Sequence, residues 1–182
     1  MTFVCAARRL PLAATTLLAA CALEALQPTP PTVVIPANLA ASPTDSLVRT
    51  LWADGVQIYE CKAKPEGAPA WAFVAPQARL VDAKGVLVGH HDAGPTWEAG
   101  DGSKVVGTVK AKVDSPDAGA IPWLLLDTRS TGKPGLFARI TEIQRVATIG
   151  GAMPAAGCDA TSIGKQVRVP YKAQYVQYAP TI

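Results

Sequence analysis

The most regular feature of this chain is alternation. Between Val56 and Cys61 apolar and polar side chains change places at nearly every step, so that Val56, Ile58 and Glu60 share one face and Gln57, Tyr59 and Cys61 the other. The same period recurs from Ile140 to Thr148, Val105 to Val113 reads as a longer strand, and Val167 to Val169 and Tyr171 to Val176 stand on either side of Pro170. Shorter runs, Trp71 to Val74, Ala78 to Val81 and Val86 to Gly89, are cut by turn residues. Asp82-Ala83-Lys84-Gly85 reads as a hairpin loop with glycine where a positive φ is needed. Trp123 to Leu126 is apolar throughout, which suits a strand covered on both faces, and Gly107 marks a bulge or a point of close approach. Helical periodicity is thin. The pattern predicts about eight to ten strands in a single all-β domain over residues 45–182, built as an antiparallel β-sandwich or a closed β-barrel with little helix.

Upstream of Asp45 the pattern changes twice. Residues 21–44 carry Pro28, Pro30, Pro31, Pro36 and Pro43 among Ala and Thr, which excludes helix and favours an extended conformation. This stretch is expected to act as a tether. Its alternative is an arm packed along the domain, with Val33 to Ile35 as an added edge strand. Residues 1–20 read as a lipoprotein-type signal peptide: Arg8 and Arg9, an apolar stretch from Leu10 to Ala20, then Leu18-Ala19-Ala20-Cys21, with Cys21 as the lipidation site. The apolar stretch is shorter than the roughly 20 residues a membrane span needs. The expected location is therefore outside the cytoplasm, on a membrane through the lipid anchor and facing the periplasm or cell exterior, with a soluble secreted protein as the alternative. Ala22 rather than an aspartate favours delivery to an outer membrane where the cell has one.

Removal of the signal changes the charge and the cysteine count. Of 17 basic residues two leave with it, so 15 face 14 acidic ones and the net charge falls from +3 to +1. Lys62, Lys64, Lys104, Lys110 and Lys112 are dispersed rather than clustered, which excludes a nucleic-acid interface. No phosphate loop or dinucleotide fingerprint is present, so no nucleotide is expected. Of four cysteines, Cys5 is discarded and Cys21 is lipidated. Cys61 and Cys158 remain in an oxidising compartment, where a disulfide is the simple reading and a pair of buried free thiols its rival.

Candidate chemistry concentrates in Gly89 to Ser103, read as a loop, which holds both histidines of the chain, His90 and His91, beside Asp92, Glu98 and Asp101. Imidazole and carboxylate suit a transition metal, and a site centred on His91 with Glu98 or Asp101 is one reading. His90 and His91 themselves point to opposite faces of any strand, which opposes a shared ion. Ser103 has the chemical type of a nucleophile but no nucleophile-elbow context. Glu98, Asp101, Asp114 and Asp117 offer carboxylate pairs, which turns also use for local hydrogen bonds. Among the tryptophans, Trp71 and Trp123 open apolar runs and are expected in the core, whereas Trp97 lies among Gly and Pro and is expected as an exposed stacking residue.

Several blocks together resemble a known family. They are Gly55 to Cys61, Gly94-Pro95-Thr96-Trp97-Glu98 with Asp101-Gly102-Ser103, Ile121 to Leu126, Gln144 to Thr148 with Gly150-Gly151 and Pro154, and Pro170 to Tyr175. In this order they are similar to the bacterial and fungal domain of unknown function 3455. The family pattern places its histidine three residues before Gly-Pro, at His91, and commonly an aromatic next, where this chain has Asp92. The resemblance implies a secreted or envelope protein with Cys61 and Cys158 paired, and brings no activity. Dehydrogenase labels carried by some relatives find no nucleotide-binding motif here.

The sequence thus predicts a non-catalytic envelope protein that binds an envelope ligand or a partner protein through residues 89–103, with His91, Trp97, Glu98, Asp101 and Ser103 as binding residues and no cofactor. A metal-dependent enzyme, redox or hydrolytic, on His91 with Glu98 or Asp101 is the alternative, and a purely structural envelope protein the third reading.

Overall fold

The computed structural model describes residues 33–181; the expected signal, Cys21 and the first part of the Pro-rich segment lie outside the described residues. Eight strands follow one another in chain order: β1 (Asp45–Lys62), β2 (Ala70–Val81), β3 (Leu87–Asp92), β4 (Thr96–Ala99), β5 (Lys104–Val113), β6 (Trp123–Ser130), β7 (Glu142–Gly150) and β8 (Gln166–Pro180). Each pairs antiparallel with the next, and β8 returns to β1 from Asp45 opposite Pro180 to Glu60 opposite Gln166, which closes the sheet into a barrel. The all-β expectation holds, and of its two forms the chain adopts the barrel. Closure removes the exposed strand edges that an open sheet would have to protect.

Alternation decides what fills the barrel. On β1 the inward face is Gln57, Tyr59 and Cys61, the face that looks the more polar in sequence, whereas Val56, Ile58 and Glu60 are only partly covered. Charged side chains stand on the outer wall, as in the Lys172–Asp54 and Lys62–Glu60 pairs. The turn after β2 forms as expected, with Gly85 at φ 78° and Asp82 Oδ1 accepting the N–H groups of Lys84 and Val86. Pro76 and Pro170 lie inside β2 and β8 rather than ending them. Neighbour pairing explains this: β3 joins β2 only from Ala78 onward and β7 leaves β8 at Tyr171, so each proline occupies a stretch with one unpaired side.

The two ends of the barrel differ. At the end holding the turns after β2, β4 and β6, Leu51, Leu80, Ala99, Val105, Ile140 and Ile143 fill the interior. Phe137, fully buried in the connection between β6 and β7, stoppers that end. The opposite end is bordered by the connections after β1, β3, β5 and β7. There the disulfide Cys61–Cys158 joins the tip of β1 to the long β7–β8 connection.

Residues from Val33 to Thr44 form an arm on the outer wall, with one 3-10 turn at Ala37–Leu39 and no strand at Val33 to Ile35. Leu39 is wholly buried against Trp123, Leu125, Val146 and Val176, and Val33 and Ile35 extend the same cluster. Gln144 Nε2 donates to Leu39 O at 2.6 Å, and Ser42 N donates to the buried Glu142 carboxylate at 2.6 Å. The apolar run of β6 is therefore covered on both sides, Leu124 and Leu126 by the interior and Trp123 and Leu125 by the arm. Residues 33–44 of the Pro-rich segment are thus part of the packed wall rather than of a free tether.

Candidate functional site

The open end leads into a cavity of about 610 Å³ within the barrel. Its mouth carries Phe73, Val74 and Val109, which are 42–55% exposed, and its floor is Trp97, Leu126 and Tyr175. Strand alternation puts these residues there: His91 and Trp97 are cross-strand partners on β3 and β4, and Tyr171 and Tyr175 lie on the inward face of β8. Gly107 on β5 is a point of close approach, because a Cβ there would stand 2.8 Å from the Trp97 ring.

His91, Trp97 and Tyr175 form an aromatic cluster. The imidazole stacks on the indole at 4.4 Å and meets Tyr175 edge-on at 5.0 Å, and Trp97 meets Tyr175 edge-on at 5.5 Å. His91 Nδ1 lies 2.8 Å from Thr96 O. A carbonyl can only accept, so Nδ1 carries the proton and Nε2 holds a lone pair. Burial pushes the His91 pKa down to about 3, against the Thr96 hydrogen bond and with help from the nearby Arg145 charge. The imidazole is accordingly neutral at physiological pH and serves as a hydrogen-bonding and stacking group.

Arg145 is the principal charge in the lining. Its Nε and Nη2 both donate to Pro122 O, at 3.1 and 2.9 Å, which fixes the plane of the guanidinium. Thr148 Oγ1 donates to Ile121 O at 2.6 Å, and Ile121 N donates to Gly150 O at 2.9 Å, so the segment before β6 is stapled to β7 around this arginine. Among the described residues no carboxylate lies within 4.0 Å of Arg145 or of Lys112, the second cation of the lining. The Arg145 charge acts on Tyr59, Tyr171 and Tyr175, in each case favouring the phenolate, but burial outweighs it and all three phenols are held above their ordinary range. Tyr59 Oη donates to Gly151 O at 2.7 Å. Gln57 Nε2 and Trp97 Nε1, both buried in the lining, have no acceptor among the described residues.

The residues expected to act together from the sequence separate into three places. Gly89 to Ser103 is not a loop but β3, a turn, β4 and a second turn. Trp97, expected to be exposed, is 1% exposed, because alternation along β4 turns it inward despite its Gly and Pro neighbours. Glu98 points to the outer face and pairs with Lys104 at 2.5 Å. His90 is likewise outside. Asp101 and Ser103 sit at the far end of β4 from His91, at the stoppered end. There Asp101 Oδ1 accepts from Ser103 N at 2.9 Å and Ser103 Oγ at 2.5 Å, and Oδ2 accepts from Leu136 N at 2.7 Å. Ser103 Oγ in turn accepts from Phe137 N at 2.9 Å, so this pair holds the stopper in place. Glu98 and Asp101 cannot join His91 around an ion, and among the described residues no group of three His, Cys, Asp or Glu is placed to hold a metal. Trp71 is half-buried rather than core, with Nε1 donating to Ala156 O at 2.8 Å, whereas Trp123 is buried beneath the arm.

Gln57, Tyr59, Tyr175 and Arg145 line the cavity without having been singled out by the sequence. For the first three the period-two pattern of β1 and β8 was the available signal, since it assigns them to the inward face once that face is known. The same period puts Arg145 on the face of β7 that Ile143 turns inward, but it does not say which residues meet it there. A bulge in β7 between Val146 and Ile149 follows it, and only the closed barrel brings it opposite His91.

Comparison with curated proteins and with solved structures finds no match. A family model does match, over residues 41–179, which spans the end of the arm and the whole barrel with its cavity. Its description is "Protein of unknown function (DUF3455)", and the chain belongs to this family.

Proposed function

We propose that this protein is a non-catalytic binding protein of the cell envelope whose barrel holds a small, mainly apolar molecule. One observation carries the reading: an open-ended cavity of about 610 Å³ lined by aromatic and aliphatic side chains with a few convergent polar groups. Sites for small molecules have this make-up, with volumes of about 300–1,000 Å³. The binding residues shift accordingly from a surface loop to the interior. His91 and Trp97 remain, while Glu98, Asp101 and Ser103 give way to Arg145, Gln57, Tyr59 and Tyr175. Export and a lipid on Cys21 belong to the same proposal, supported by the Leu18-Ala19-Ala20-Cys21 sequence and by a disulfide of the kind that persists outside the cytoplasm.

The test is a titration with N-phenyl-1-naphthylamine, an uncharged dye that fluoresces in apolar surroundings. Saturable enhancement is expected, and Leu124→Trp, which fills the cavity from β6, abolishes it while the far-ultraviolet circular dichroism stays that of a β-barrel. Enhancement unchanged by Leu124→Trp places the dye elsewhere and removes the reading. For the anchor, incorporation of labelled palmitate is expected in the wild type and lost in Cys21→Ala.

A further inference from the structure

The cavity has a sign. Its lining contains Arg145 and Lys112, a neutral His91 and no Asp or Glu. Both buried side-chain atoms of the lining that lack a partner, Gln57 Nε2 and Trp97 Nε1, are donors. Arg145 is partly buried, its plane is set by two hydrogen bonds to one backbone carbonyl, and the Tyr175 hydroxyl is a neutral neighbour that leaves its charge uncompensated. A partly buried cation without a counter-charge is costly, and the cost is recovered when an anion arrives to meet it. Planar two-oxygen anions are what a fixed guanidinium binds best. Around this charge the wall is apolar, with Phe73, Val74 and Val109 at the mouth and Leu124 and Leu126 deeper.

Resting on the container reading above, we propose that the molecule held is an amphiphilic carboxylate, its carboxylate on Arg145 and its apolar part against Trp97, Leu124 and Leu126. Lys112 adds charge to the lining and draws the anion in. Gln57 supplies a further amide beside the carboxylate. Asp92, the last residue of β3, faces outward, in a surface depression lined with His90 and Arg168.

The experiment compares dodecanoate with 1-dodecanol, molecules of equal chain length that differ in the head group. Each is titrated directly by calorimetry and also as a competitor of N-phenyl-1-naphthylamine. Wild-type protein is expected to bind the acid at least about tenfold more tightly than the alcohol, the difference one charge-assisted hydrogen bond supplies. In Arg145→Gln the acid and the alcohol are expected to bind with equal affinity, while the far-ultraviolet circular dichroism stays that of the wild type. Because Arg145 also braces Pro122, Arg145→Lys is run beside it: it keeps the charge, loses the fork, and is expected to retain part of the preference. Dye binding with equal affinity for acid and alcohol in the wild type leaves the container standing and overturns the carboxylate assignment. A preference for the acid that survives in Arg145→Gln overturns the role of Arg145, and absence of dye, acid and alcohol binding alike removes both readings.

Discussion

His91 enters the folded state without its proton, and Asp101 gives its proton up more readily than an ordinary aspartate. The two therefore respond to acid in different windows. The folded pKa of His91, about 3, lies below the unfolded value of 6.5, so the unfolded chain takes up a proton that the barrel refuses. Stability from this source is full above pH 6.5 and is lost as pH falls toward 3, with a slope approaching about 1.4 kcal/mol per pH unit. Urea unfolding at several pH values between 7.5 and 4.5 should show that slope in the wild type and a flatter line in His91→Gln. For Asp101, the Ser103 hydroxyl and the backbone N–H groups of Leu136 and Ser103 hold the carboxyl at about 2, below its ordinary 3.8. Its contribution is present above pH 4 and disappears as pH falls through 2. Asp101→Asn is expected to melt lower than wild type at pH 7 and to lose less on going from pH 4 to pH 2, as read by melting temperature. Neither residue needs a metal or a substrate to explain its environment: one is a wall of the cavity and the other a fastening of the stopper.

At the scale of elements, the arm is the part whose contribution is easiest to isolate. Leu39 is wholly buried in a cluster outside the barrel interior, so truncating it leaves the cavity untouched. Leu39→Ala is expected to destabilise by about 2–5 kcal/mol in denaturant unfolding, with dye binding unchanged. The strands themselves were largely readable from sequence because period two is a local property: β1 and β7 show it, and Asp82 to Gly85 has the chemistry of its turn. β4 was not readable. Thr96 to Ala99 is only four residues long and is framed by Gly94-Pro95 and Gly100, so its neighbours spoke for a loop and placed Trp97 outside. Pro170 likewise read as a break between two runs, since whether a neighbour pairs at that position is decided by strands far away in sequence. The apolar run Trp123 to Leu126 asked for cover on both faces, and its second cover proved to be the arm.

The candidate site belongs to the whole molecule, which is why so little of it was legible. His91 and Trp97 are six residues apart and could be singled out together, but Arg145 meets them only after eight strands have closed, and sequence offers no measure of that closure. The disulfide acts at this same scale. It links Cys61 at the tip of β1 to Cys158 across 97 residues, at the open end of the barrel. Hydrogen bonds from Cys61 N to Lys165 O and from Gly164 N to Cys61 O hold the same connection to β1 without it. The barrel is closed by the β1–β8 ladder rather than by the sulfur bridge, so the bridge restricts the unfolded chain more than it shapes the folded one. In the chain-entropy account a loop near 100 residues contributes about 4–5 kcal/mol. The Cys61→Ser/Cys158→Ser double variant is therefore expected to unfold at a much lower urea concentration, by an amount of that order, and to bind N-phenyl-1-naphthylamine with wild-type affinity at temperatures where it remains folded. A loss of dye binding by the folded variant would mean instead that the bridge holds the mouth of the cavity in shape.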